Sequence, residues 1–134
     1  MQQAIDDLEL VLLARTDDAS AHYWKGLAHA RLGQSESAAE HLTRAVTLEP
    51  TMQVARLTLA AQLMVLGRHA EAASQIEAAA KLQALDAESQ FYLGLAYEGA
   101  GRSEQARVAL RRALELQPGH AAAAEALARL TEPG

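Results

Sequence analysis

The chain has 134 residues, of which 50% are hydrophobic and only 4% aromatic, so small aliphatic side chains must build most of its core. Such a composition favours closely packed helices over a sheet. A net charge of -5 disfavours a nucleic-acid partner, and the absence of Cys excludes disulfides and thiolate metal sites. We find no signal sequence or membrane-spanning segment, and we expect a soluble chain that is cytoplasmic by default.

The first predicted element is a helix over residues 2–14. Apolar side chains recur at helical spacing from Ile5 to Leu12. Leu10 and Leu13 add apolar surface on further sides of this helix, which one neighbour would not cover. We therefore expect a preceding repeat, or a second copy of the chain in a homo-oligomer, to pack against residues 2–14.

Six further helices are predicted in three pairs. Gly33, Gly67 and Gly101 precede the second helix of each pair, where a tight turn requires a residue that tolerates positive φ. Ser35 and Ser103 follow two of these glycines and are the predicted N-caps of their helices. The predicted pairs are 19–32 with 35–48, 53–66 with 69–82, and 87–100 with 103–116.

The ends of the pairs are marked by proline in two cases out of three. Pro50 and Pro118 stop the second helices of their pairs, whereas Ala84 takes this place in the middle pair, whose connection we expect to run on more smoothly. A last helix is predicted over residues 121–131. This helix is either a cap or the first helix of a further unit.

The three pairs are copies of one unit of thirty-four residues. Gly33, Gly67 and Gly101 are spaced by this interval, and the segments 19–50 and 87–118 coincide at many positions when shifted by two intervals. The boundaries that follow are a half unit at 2–18, three units at 19–52, 53–86 and 87–120, and a terminal helix at 121–131.

Small residues recur where the two helices of each unit should meet. A Gly or Ala on the first helix stands twelve residues before an Ala on the second, which allows antiparallel helices to approach closely. One pair cannot bury its outer faces, so successive pairs are expected to stack. The facing residues are Gly26 and Ala38, Ala60 and Ala72, and Gly94 and Ala106.

The chain resembles the tetratricopeptide repeat family over nearly its whole length, with about three and a half repeats. Lys25 and His29 depart from the family pattern in the first unit. The resemblance implies one domain over residues 1–134, an all-α right-handed superhelical solenoid of antiparallel helix pairs. It also implies a scaffold for protein–protein interaction rather than an enzyme. The signature is most complete in the third unit as Gly94, Tyr97, Ala106, Leu110, Ala113 and Pro118.

A second apolar stripe remains on each first helix once its core positions are assigned. Such stripes either deepen the core or form a groove for the apolar part of a partner peptide or helix. We favour the groove, with Arg31 and Glu98 orienting the partner. The family's clamp for a terminal carboxylate is not expected because Asn is absent. The candidate groove residues are Tyr23, Leu27, Arg31, Leu57, Ala61, Met64, Val65, Phe91, Leu95 and Glu98.

Two other roles stay open at this point. The chain is either a repeat segment of a larger enzyme or envelope-assembly protein, or a small chaperone for an apolar client segment. No phosphate-binding loop, catalytic nucleophile or paired carboxylates are found, and we expect no cofactor.

The five histidines are not expected to bind a metal. His22 and His29 lack a third ligand at suitable spacing, so we expect them to pack in the core or at the groove edge. His41, His69 and His120 are predicted to lie in turns or on the surface. Trp24 and Tyr92 occupy matching places in their units, either between repeats or beside the groove.

Overall fold

The computed structural model describes residues 18–131, which form seven helices and no strand. The six paired helices agree with the predicted ranges to within one residue, whereas the predicted helix at 2–14 lies outside the described residues. The observed helices are α1 (Ala19–Arg31), α2 (Ser35–Leu48), α3 (Gln53–Val65), α4 (His69–Leu82), α5 (Ala87–Gly99), α6 (Ser103–Leu116) and α7 (Ala121–Thr131).

The turn inside each unit is built on its glycine. Gly67 has φ +79°, and its amide N–H donates to the carbonyl of Met64 at 3.0 Å. The amide of Arg68 donates to the carbonyl of Leu63 at 2.8 Å. These two bonds define a Schellman motif, which satisfies the carbonyls at the end of α3. Gly33 and Gly101 also have positive φ, and equivalent hydrogen bonds form at their turns. The prediction of positive φ at all three glycines is confirmed.

The prediction that serines cap the second helices is wrong. Ser35 and Ser103 are the first helical residues, and Gln34 and Arg102 occupy the N-cap positions without a side-chain capping bond. The cause is the Schellman turn, which leaves a single residue between the glycine and the next helix. Glu36 in the first turn of α2 still places negative charge where the helix dipole favours it.

The two helices of a unit touch at their small residues. A Cβ placed on Gly26 would lie 2.8 Å from Cγ of Leu42, and one placed on Gly94 would lie 2.7 Å from Cγ of Leu110. Both leucines are fully buried. The glycines therefore allow a leucine of the second helix to pack against the backbone of the first helix.

The units stack so that each second helix packs against the first helix of the next unit. These contacts join α2 to α3, α4 to α5 and α6 to α7, while α1, α3, α5 and α7 also touch one another in sequence. The result is an all-α helical repeat solenoid in which the first helices line one surface. Its core is rich in alanine, and its largest fully buried side chains are Leu42, Leu59, Ile76 and Leu110.

The middle unit ends its second helix without proline. α4 stops at Leu82, and Gln83 is extended. The side-chain amide of Gln53 on α3 donates to the carbonyls of Ala79 at 3.0 Å and Gln83 at 2.9 Å. The carbonyl of Ala79 also accepts the amide of Gln83 at 3.2 Å, so the Gln53 side chain adds a second donor there and binds the carbonyl just beyond the helix end. α4 therefore ends at the position equivalent to the ends of α2 and α6, although no proline follows it.

Candidate partner-binding groove

A groove of about 770 Å³ lies between α3 and α5, with α4 beneath it. Aliphatic side chains from α3 form one wall, and the first half of α5 together with the residue that precedes it forms the other. This volume is in the range of sites that hold small ligands or a few peptide side chains. The lining residues are Leu57, Thr58, Ala60, Ala61, Met64, Val65, His69, Ile76, Asp86, Glu88, Ser89, Tyr92 and Leu95.

The α3 wall is apolar and open to solvent. Val65 is 72% exposed, and Ala61 is exposed as well. Leu57 and Met64 are half-buried, because their inner sides pack against the main hydrophobic core. A partner could therefore contact four neighbouring side chains, two of which the core holds in place from below.

Half of the predicted groove residues meet in this cavity. Leu57, Ala61, Met64 and Val65 lie on the α3 wall, and Leu95 contributes from α5. The three candidates on α1 lie outside the lining, where Arg31 is exposed and the other two are half-buried. The remaining candidates outside the lining are Phe91 and Glu98 on α5. The α1 candidates are Tyr23, Leu27 and Arg31.

Glu98 and Phe91 interact with the end of the chain rather than with the groove. The guanidinium of Arg129 on α7 donates to both carboxylate oxygens of Glu98, at 2.7 and 3.1 Å. Phe91 packs against the cluster that α6 and α7 form, and its ring lies 4.9 Å from that of His120. α7 therefore covers this part of the third unit much as the first helix of a following unit would.

The end of the groove beside α5 is acidic. Asp86 is the N-cap of α5, and its Oδ1 accepts a hydrogen bond from the amide of Ser89 at 2.8 Å. Hydrogen bonds from the backbone and side chain of Ser89 hold the pKa of Asp86 below its usual range. Glu88 lies in the first turn of α5, on the same wall. Burial, together with the charge of Glu88 and a hydrogen bond to it, raises the pKa of Tyr92.

Glu88 also connects the groove to the start of α7. Its Oε2 accepts from Nε2 of His120 at 3.1 Å, while Nδ1 of this histidine accepts from the amide of Ala123 at 3.0 Å. The second bond requires Nδ1 to be unprotonated, so His120 pairs with Glu88 as a neutral imidazole. His120 follows the turn at residues 118–119, as one predicted alternative has it, but it is buried rather than on the surface because its imidazole caps α7.

His69 stands where Ser35 and Ser103 stand in the other units, and its larger side chain is accommodated by Gly99. A Cβ on Gly99 would lie 2.4 Å from Cγ of the His69 ring. The ring lines the groove, and its Nδ1 is buried without a partner. His69 follows the turn at Gly67, as one predicted alternative has it, and is half-buried rather than a plain surface residue. His69 in the second unit and Gly99 in the third unit both depart from the repeat pattern, and the missing side chain of Gly99 leaves space for the His69 ring.

Several lining residues were absent from the sequence-based set. The sequence allows Tyr92 either between repeats or beside the groove, and the structure places it at the groove. Asp86 could have been found from the spacing of Asp86 and Ser89, which is typical of an N-cap before a helix. His69 was detectable only as a break in the repeat pattern. Thr58 gives no chemical signal of its own.

A cluster of three histidines lies in the first unit, away from the groove. The rings of His22 and His41 lie 5.7 Å apart, and those of His41 and His29 lie 5.4 Å apart in nearly parallel planes. Burial, followed by the charges of Lys25, His29, His22 and Arg44, lowers the pKa of His41 to about 4. His22 is buried as expected, whereas His41 is half-buried in this stack rather than a plain surface residue.

Neither metal binding nor membrane insertion is indicated by the described part of the chain. Across residues 18–131, His, Asp and Glu side chains form no group of three or more that could hold a metal ion. Over the same residues, every helix is too short or too polar to cross a bilayer.

Comparison with family models identifies the repeat. A model described as "Anaphase-promoting complex, cyclosome, subunit 3" matches residues 2–79, and one described as "Tetratricopeptide repeat" matches residues 57–121. Together with the stacked helix pairs, these matches show that the chain belongs to the tetratricopeptide repeat family. The comparison with curated protein sequences gives no significant match.

Solved structures of similar fold extend this comparison. A crystal structure of MamA is 22% identical with a TM-score of 0.89, covering 94% of this chain and 74% of MamA. YrrB, described as a tetratricopeptide repeat protein with an unusual peptide-binding site, is 29% identical with a TM-score of 0.84, covering 93% of this chain and 64% of YrrB. The first tetratricopeptide repeat domain of Spaghetti (RPAP3), solved with the HSP90 peptide SRMEEVD, is 23% identical with a TM-score of 0.78. The match covers 84% of this chain and 90% of that domain.

Proposed function

We propose that this chain is a non-enzymatic scaffold that binds an apolar segment of a partner protein in the groove between α3 and α5. The observation that carries the proposal is the contiguous wall of Leu57, Ala61, Met64 and Val65, which faces a cavity of about 770 Å³. Exposed apolar surface of this kind usually marks an interaction site. The peptide-binding structures of similar fold support this use of the solenoid.

The groove is suited to an extended or helical segment because its wall is preformed. Leu57 and Met64 are supported by the core and lose little side-chain freedom when a partner binds. Met64 has an unbranched side chain that can adjust to different apolar shapes. Affinity would therefore come mainly from burial of apolar area, at about 25 cal/mol per Å² before the costs of association.

The test is a double substitution on the α3 wall. Leu57→Glu with Met64→Glu places two charges in the groove, and we expect partner capture from extracts of the native host to fall at least tenfold because burying an unpaired carboxylate is costly. Val108→Glu with Leu116→Glu is the matched control, since both residues are exposed on α6 outside the groove. Circular dichroism checks that both variants fold. Undiminished capture by a folded groove variant would contradict the proposal.

A further inference from the structure

We propose that the groove between α3 and α5 selects an apolar segment that carries a lysine or arginine, with the cation bound at the end formed by Asp86, Glu88 and Tyr92. This inference rests on the proposed function and adds the chemistry of the partner. It follows from the asymmetry of the groove, whose α3 wall is apolar and whose α5 wall begins with two carboxylates.

The acidic end of the groove is lined by carboxylates, without a cationic side chain among the described lining residues. The described lining residues include Asp86 and Glu88 but neither Lys nor Arg. His120 contacts Glu88 as a neutral imidazole, because its Nδ1 accepts the amide of Ala123, and so it adds no positive charge to the pair. Two carboxylates at the mouth of an apolar cavity favour a cationic group, because the low-dielectric wall strengthens their attraction.

Tyr92 adds an aromatic surface beside these carboxylates. Tyr92 is 43% exposed, and the neighbouring carboxylate of Glu88 is one cause, after burial, of the raised pKa of its phenol. A Lys or Arg side chain over this ring would gain a cation–π interaction of about 0.5–1 kcal/mol at such an exposed site. The aliphatic stem of the same side chain would continue along the apolar wall, as is usual for long basic side chains.

The same charges disfavour two other occupants. An acidic peptide such as SRMEEVD, which is bound by the similar domain of RPAP3, would bring its carboxylates towards Asp86 and Glu88. A second copy of this chain is also disfavoured, since its most apolar segment outside the described residues, at 2–14, contains Asp6, Asp7 and Glu9. A partner segment that is both apolar and basic meets neither repulsion.

The first experiment selects peptides from a displayed library of random dodecamers. The wild-type chain is the bait, and a Leu57→Gln, Met64→Gln variant, which makes the wall polar without adding negative charge, removes peptides that bind elsewhere. We expect the surviving peptides to combine apolar residues with at least one Lys or Arg, and to be depleted in Asp and Glu. Apolar survivors without basic residues, or acidic survivors, would overturn this inference while leaving the proposed function standing. Absence of any groove-dependent peptide would contradict both.

The second experiment measures the selected peptide by fluorescence anisotropy. Asp86→Asn with Glu88→Gln removes both charges yet preserves the capping oxygen and the acceptor for His120. We expect about tenfold weaker binding, and the same loss when norleucine replaces the basic residue of the peptide. Glu49→Gln with Glu115→Gln removes two exposed charges outside the groove and is the matched control. Equal affinities of the two double variants would overturn the inference.

Discussion

Replacement of Gly94 by alanine tests the close approach of α5 and α6 most sharply. The new Cβ would lie 2.7 Å from Cγ and 2.8 Å from Cδ2 of Leu110, well inside normal van der Waals separation. Leu110 is completely buried, so its side chain has no solvent-filled space into which to turn. Either the leucine adopts a strained rotamer or the two helices separate.

The expected change is the difference between two opposing effects. Replacing Gly by Ala inside a helix stabilises it by about 1 kcal/mol, whereas overpacking a core costs about 1–3 kcal/mol. We therefore expect Gly94→Ala to lower the free energy of unfolding by about 0–2 kcal/mol. The middle unit shows how the alanine can be accommodated, because Ala60 and Ile76 occupy the equivalent positions and are both buried.

A double-mutant cycle measures this effect directly. Gly94→Ala, Leu110→Ile and their combination are compared by urea denaturation followed by circular dichroism. We expect a favourable coupling of about 1 kcal/mol, since the pair then matches Ala60 and Ile76. Ser74 is exposed in α4, so the difference between Ser74→Ala and Ser74→Gly supplies the helix propensity without any packing change.

The reasoning would be refuted by an unstrained alanine. If Gly94→Ala stabilised the chain by as much as the Ser74 pair differs, the Cβ would meet no resistance from Leu110. Additive effects of Gly94→Ala and Leu110→Ile would lead to the same conclusion.

Three further predictions concern single groups. The free energy of unfolding should fall as the pH drops from 6.5 towards 4, because His41 then binds a proton in the unfolded chain but not in the folded one. Solvent screening limits this loss of stability to about 1 kcal/mol. Urea denaturation of the wild type and of His41→Gln at both pH values measures it. Tyr97→Phe should lower the free energy of unfolding by about 1 kcal/mol, because it removes the hydrogen bond to Glu77. Burial, followed by Glu77, raises the pKa of the Tyr97 phenol to about 12, so this phenol should ionise late in an ultraviolet titration. Gly67→Ala should cost about 1–2 kcal/mol through its positive φ alone, whereas Gly119→Ala, where φ is ordinary and space is open, should be nearly neutral in the same denaturation assay.

The paired helices could be predicted from the sequence because their determinants are local. Gly33 and its equivalents mark the turns, and small residues spaced by the repeat mark where helices touch. The cap positions were missed at Ser35 and Ser103, since a serine before an acidic residue is typical of an N-cap in many contexts. The Schellman turn shifts the helix start by one residue, and this shift depends on three-dimensional geometry.

The groove could be predicted only in part. The α3 wall follows from helical spacing within one segment, which is why Leu57, Ala61, Met64 and Val65 were found together. The role of Glu98 as an orienting residue was inferred without its partner Arg129, which is distant in sequence and is brought near by the stacking of α7. Contacts between units depend on rotations between helices that a repeat pattern does not specify.

Site-specific photocrosslinking in the native host tests the central claim most directly. A benzophenone amino acid replaces Ala61, which is exposed in the groove, or Leu116, which is exposed on α6 outside it. We expect a crosslinked adduct of one discrete mass from position 61 and none from position 116. We also expect the adduct to be lost when Leu57→Glu and Met64→Glu are added. Equal adducts from both positions, or an adduct from position 116 alone, would contradict the proposal that the groove between α3 and α5 binds the partner.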